Sequence, residues 1–148
     1  KIPATVKTIE EKSFVNNNEL ISVDIPPSVS LIPNGSFEDC INLKEITVDP
    51  YKTEILPGSF INCNSLTTLI ISLSVNKMEP ISSSFFKKFK VIVIPSTVQS
   101  IESNAFKGCS SLTQISIPSS VESFGNNIFD DIKTLSINGN LKYLSNNL

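Results

Sequence analysis

Ile94-Pro95-Ser96-Thr97-Val98-Gln99-Ser100-Ile101 leads into Phe106, Cys109, Leu112, Ile115 and Ile117, and at Pro118 the pattern begins again. The interval is 23 residues. Ile2, Ile25, Val48, Ile71, Ile94 and Ile117 keep that step without an insertion, and so do Ile9, Ile32, Ile55, Met78, Ile101 and Phe124. Leu20, Leu43, Leu66 and Leu112 form a further column in which Phe89 fills the remaining rung; Phe14, Phe37, Phe60, Phe106 and Phe129 form another, and Cys40, Cys63 and Cys109 share one more. A period between about 20 and 50 residues settles the architecture before any local assignment, because each copy is one structural unit that buries its apolar faces only against its neighbours. Residues 23 positions apart are therefore expected to be vertical neighbours in a stack.

Within one repeat, Leu112-Thr113-Gln114-Ile115-Ser116-Ile117 alternates inward Ile115 and Ile117 with outward Ser116, the period-2 signature of a strand, and Pro118 ends it by withholding a donor. Val98 and Ile101 turn a second inward face, and Phe106 with Cys109 is expected to close the return in a short helical or 3₁₀ segment. Strands of successive coils then pair in parallel, with an aliphatic ladder behind the sheet and a phenylalanine spine on the far side.

Three coils depart from the pattern. Val48-Asp49-Pro50-Tyr51-Lys52 shifts proline by one place and puts Lys52 where other coils have Val, so a rebuilt turn is expected. In the fourth coil Ser83 takes the Phe column and Phe86 the Cys column, which predicts that Phe86 swings inward as a substitute and Phe85 stays partly exposed. The sixth is read as losing three residues between Phe129 and Ile132, with Leu135-Ser136-Ile137 restoring the strand and Leu141 and Leu144 resuming a partial coil.

The segment Ile94-Pro95-Ser-Thr-Val98-Gln-Ser-Ile101, continued by Asn104-Ala105-Phe106-Lys107-Gly108-Cys109-Ser-Ser-Leu112, resembles the BspA-like class of leucine-rich repeats, and the resemblance covers essentially the whole chain. It is strongest in the fifth repeat and weakest in the fourth. The glycine common in the family after the second Ile appears as Gly125 but is Glu102 in the fifth repeat. The expected fold is an α/β solenoid, a right-handed leucine-rich-repeat superhelix with a parallel concave sheet of short strands and 3₁₀ or irregular helical convex segments. It forms one domain over 1–148, with repeats starting at 2, 25, 48, 71, 94 and 117, a partial one from 138, and a longer array beyond. The resemblance implies adhesion or other binding to a host, matrix or cell-surface protein, a cell-surface or extracellular location with the cytoplasm left open, and no fixed catalytic residues.

Composition removes several other functions. The chain has a net charge of −2 and contains no His, and all its bases are Lys. Without Arg it lacks the planar fork that reads guanine or phosphate, and without a basic surplus it lacks the counterion-release term of nucleic-acid binding. No stretch approaches the apolar length of a spanning helix, so membrane insertion is not expected. A catalytic triad has no usual base, and Glu10 with Glu11, or Asp130 with Asp131, are adjacent carboxylates on solvated turns rather than an acid–base pair. Cofactors and metals are not expected, since zinc wants four ligands; the three cysteines read as small buried hydrophobes, although Cys40 and Cys63 lie one coil apart. Phe85-Phe86-Lys87-Lys88-Phe89-Lys90 mixes bases with aromatics, but two of its rings belong to core columns.

The expected binding surface is the concave face. Its outward residues are Ser22 and Asp24; Lys44, Glu45 and Thr47; Thr67, Thr68 and Ile70; Lys90, Val91 and Val93; Thr113, Gln114 and Ser116; and Lys133, Thr134 and Ser136. Ile70, Val91 and Val93 form an apolar centre within a polar rim, the composition of a contact surface. A structural or homo-oligomerising scaffold, meeting copies of itself through that centre and through uncapped ends, is the alternative. Asn34-Gly35-Ser36 is an N-glycosylation sequon, relevant only in a secretory pathway, and also a good turn sequence.

Overall fold

In the computed structural model the described residues are 1–132 and 134–139. Lys133, and Leu141 and Leu144 of the partial repeat, lie outside them. The chain divides into two compact units, Lys1–Thr68 and Leu69–Leu148.

In the first unit the strand β1 (Ser22–Asp24) pairs in parallel with β3 (Glu45–Val48), and the two-residue β2 (Leu31–Ile32) pairs in parallel with β4 (Glu54–Ile55). The partners Val23↔Ile46 and Ile32↔Ile55 stand 23 residues apart, as the sequence period requires. Strand β5 (Thr68–Ile71) starts as this unit ends. Val23, Ile25, Ile46 and Val48 point inward, and Phe14, Phe37 and Phe60 stack with ring centroids 4.8 Å apart at both steps. That spacing is the separation of neighbouring strands, so the ring column follows directly from strand pairing.

In the second unit β7 (Val91–Val93) lies between β5 and β9 (Gln114–Ile117), and β11 (Ser136–Gly139) follows β9. A second parallel ladder joins β6 (Lys77–Met78), β8 (Ser100–Ile101) and β10 (Ser123–Phe124). Ile92, Ile115, Ile94 and Ile117 are buried behind the main sheet, and Phe106 stacks on Phe129 at 5.9 Å.

The fold is mostly β. The only helix among the described residues is a 3₁₀ segment, Ser84–Lys88. Elsewhere the return, Phe106 to Cys109 included, is a run of turns closed by i→i+3 bonds: Ala105 N–H to Glu102 C=O, Lys107 to Asn104 and Cys109 to Phe106. A backbone reason sits in two columns at the 23-residue step. Asn16, Asp39, Asn62, Gly108 and Asp131 all have positive φ, as do Lys12, Gly35, Asn104 and Asn127. A left-handed residue every few positions prevents a helix from propagating, and Asn, Asp and Gly are the types that accept it. In the fourth coil these columns hold Ile81 and Phe85, neither has positive φ, and the chain runs through Phe85 as the 3₁₀ segment. The turns also pair across coils: Phe37 N–H donates to Ser59 C=O at 2.8 Å, Asp39 to Ile61 at 2.9 Å, and Phe106 to Ile128 at 3.1 Å.

The irregular coils behave in three ways. At Asp49 the side chain is buried and accepts the Tyr51 N–H at 3.0 Å, building an Asx turn, while Thr53 occupies the interior and donates its hydroxyl to Val29 C=O at 2.8 Å. Phe86 is buried as expected, edge-on to the half-buried Phe85 at 5.3 Å. The sixth coil corrects the sequence reading. Phe129, Ile132 and Leu135 keep the spacing of Phe106, Cys109 and Leu112, so nothing is lost between Phe129 and Ile132. One residue is missing instead between Leu135 and Ile137, and β11 pairs with β9 at a step of 22, Ser136↔Gln114 and Ile137↔Ile115.

Candidate functional site

Strand pleating divides each main-sheet strand into two rows, and only one row has a core to enter. In the first unit the outward row comprises Ser22 and Asp24, Glu45 and Thr47, and Thr68. All but the exposed Ser22 are half-buried, and Asp24 is paired with Lys1 at 3.5 Å. In the second unit it comprises Ile70; Val91 and Val93; Gln114 and Ser116; and Thr134 and Ser136. Register places Val91 beside Gln114 and Val93 beside Ser116, and Ser136 beside Gln114 on the other side. Strand β5, which carries Ile70, is the neighbour of β7.

The apolar centre is less open than the sequence suggests. Ile70, Val91 and Val93 are each half-buried, because side chains on adjacent parallel strands shield one another at strand spacing. The large apolar side chains that face solvent most fully are others: Leu73 at 72% and Ile21 at 58% exposed, with Ile41 and Ile61 near half. Each breaks its column, and that was the available signal. Leu73 stands where later coils have Ser96 and Ser119, Ile21 where they have Lys44 and Thr67, and Ile61 shares its column with Glu38 and Lys107.

The remaining candidates fall away from any pocket chemistry. Glu10, Glu11, Asp130 and Asp131 are exposed. Cys40, Cys63 and Cys109 are free and buried. The Cys40 thiol donates to Phe14 C=O at 3.1 Å and the Cys63 thiol to Phe37 C=O at 3.0 Å, each reaching one coil back to pin the turn beneath it. Burial pushes the Cys40 thiol pKa up, opposed by a backbone hydrogen bond at Asn17 and reinforced by the Asp39 charge; burial also raises Cys109, opposed by Lys87. Buried protonated thiols of this kind are packing groups rather than nucleophiles. Among the described residues no cluster of three or more His, Cys, Asp or Glu could hold a metal ion, and no helix is long and apolar enough to cross a membrane. In the sequon, Asn34 is exposed while its amide oxygen accepts the Gly58 N–H at 3.1 Å, and Ser36 is buried against Pro33 C=O.

A coil of this length, with paired strands at both corners and a phenylalanine spine, has a recognised sequence profile. The profile of the BspA type leucine rich repeat region matches residues 1–91 and 79–148, in six copies. The chain belongs to that family. BspA-type repeats form a leucine-rich repeat scaffold, a fold typically without catalytic function and generally used for protein–protein interaction. Among solved structures, the BspA-type chain is similar to a leucine rich cell surface protein from Faecalibacterium prausnitzii A2-165, with 27% identity over 93% of this chain and 46% of that one, at a TM-score of 0.45. It is also similar to a leucine-rich repeat protein from Bacteroides ovatus ATCC 8483, with 19% identity over 88% of this chain and 39% of that one, at a TM-score of 0.47. The chain thus spans less than half the length of either. A search of the curated proteins finds no match.

Proposed function

We propose that this BspA-type array is a non-catalytic module that captures a protein partner, of the host, matrix or cell surface, on the outward face of its main sheet while displayed at a cell surface. One observation carries the reading. The inward rows hold the same chemistry from coil to coil, Ile25 and Val48 in the first unit and Ile71, Ile94 and Ile117 in the second. The outward rows do not: Asp24 and Thr47 in the first unit, then Ile70, Val93 and Ser116 in the second. Stacking dictates the first set and leaves the second unconstrained, so the outward chemistry is available for recognition. Family membership supports the same reading, and the lack of any His leaves no conventional base for a competing catalytic role.

The test compares the parent with Val93→Lys in capture from matrix and cell-surface extracts. Val93 faces out beside Ser116, so the lysine stem can lie along the sheet with its ammonium in water and the fold unchanged. Partner recovery should fall several-fold at an unchanged melting temperature. Equal recovery by both proteins would remove this face from consideration.

A further inference from the structure

The two compact units carry opposite charge. Residues 1–68 hold nine acids against five lysines, a net −4, whereas residues 69–148 hold five acids against seven lysines, a net +2. The imbalance is concentrated on the turn side of the coils. In the first unit Glu11, Lys12, Asn34, Gly35, Glu38 and Ile61 line a groove of about 480 Å³. Among the described residues neither Glu11 nor Glu38 forms an ion pair, and the exposed Ile41 and Ile61 supply apolar contact surface on the turns of the same unit. In the second unit the same repeat positions are basic. Lys107 stands in the column of Glu38 and Ile61, and Lys87 in the column of Ile41, with its ammonium lying over Gly108 about 3 Å from where a side chain there would start.

From this complementarity we infer that the turn face of the first unit is a docking surface for a second copy of the chain, whose second unit presents Lys87 and Lys107 to the Glu11 and Glu38 groove. Opposed patches of this sign steer encounter and set register, with Ile61 adding apolar contact. The face is separate from the outward sheet row, so partner capture and self-association fail independently. Because the attraction is between exposed charges, it is screened by salt.

The experiment is sedimentation equilibrium of the 148-residue chain in low and high salt, with two charge-reversed variants, Glu11→Lys/Glu38→Lys and Lys87→Glu/Lys107→Glu. All four positions are solvent-accessible, and circular dichroism and melting of each variant confirm its fold. The parent should show a concentration-dependent mass above one chain in about 50 mM salt, with association weakened roughly tenfold or more in about 500 mM. Each variant alone should sediment as a single chain, and mixing the two should restore association, since both reversed contacts are again complementary. A parent that is a single chain at every salt and concentration would overturn the inference. So would variants that associate like the parent, or two folded variants that fail to associate when mixed.

Discussion

Phe37 and Phe60 lie 23 residues apart in the chain and stack with ring centroids 4.8 Å apart and planes within 2° of parallel. Phe14 covers the other face of Phe37 at the same separation, which leaves the Phe37 side chain fully buried. Neighbouring coils of the first unit are held in register by this contact as much as by the strands.

Phe37→Ala should therefore cost about 3–5 kcal/mol, the usual range for emptying a buried phenylalanine site. Urea unfolding followed by circular dichroism measures it. An unchanged midpoint would show that the ring column contributes nothing.

The left-handed columns make a sharper claim about backbone. Asn104 has φ of +62° and donates its N–H to Asn126 C=O at 3.0 Å. Asn104→Gly should leave stability within a few tenths of a kcal/mol, whereas Asn104→Val should lose about 1–2 kcal/mol, because a β-branched residue resists that conformation. If the two variants melt together, φ at this position is not what selects its residue.

Gly125 answers to space rather than to φ. A methyl group added there would lie 2.1 Å from Ser103 N, while Gly125 N–H donates to Ile101 C=O at 2.7 Å, so the two coils touch backbone to backbone. Gly125→Ala should cost about 1–3 kcal/mol through forced separation of the coils, read from thermal melting. Glu102, at the same position one coil earlier, meets no such restriction, and Glu102→Ala should be close to neutral.

The buried thiols give a pH dependence with a definite sign. Cys40 and Cys109 both have pKa values raised above the ordinary thiol value of 9.0, burial being the main cause. A group whose pKa is higher folded than unfolded contributes stability that is fully present below the unfolded value and is lost as pH rises through the folded one. Stability should be flat in these groups at neutral pH and decline above about pH 9. A Cys40→Ala/Cys109→Ala variant should show a shallower alkaline decline in urea midpoints, and parent thiols should react slowly with a thiol reagent at pH 7 until the chain unfolds. Fast labelling of the native protein would contradict the burial.

Much of this molecule was legible in its residues because a strict period converts sequence distance into spatial contact. Ile94 and Ile117, or Phe37 and Phe60, need no tertiary calculation once the step is known, and the same counting exposed Phe86 as the substitute in the cysteine column. The turn run was legible too, in the Asn, Asp and Gly columns at residues 16 to 131 and 12 to 127, but hydrophobic counting overlooks a pattern written in polar residues. Tertiary structure alone decided three things. It placed β11 one residue out of step, because backbone pairing at Ser136↔Gln114 outweighs the nominal spacing. It made Ile70, Val91 and Val93 half-buried, since exposure depends on the side chains of adjacent strands and no single column contains them. It also brought Glu11, Asn34 and Glu38 around one groove. A repeat determines which residues lie above one another along the stack; how far each protrudes, and what it meets sideways, is set by the folded surface.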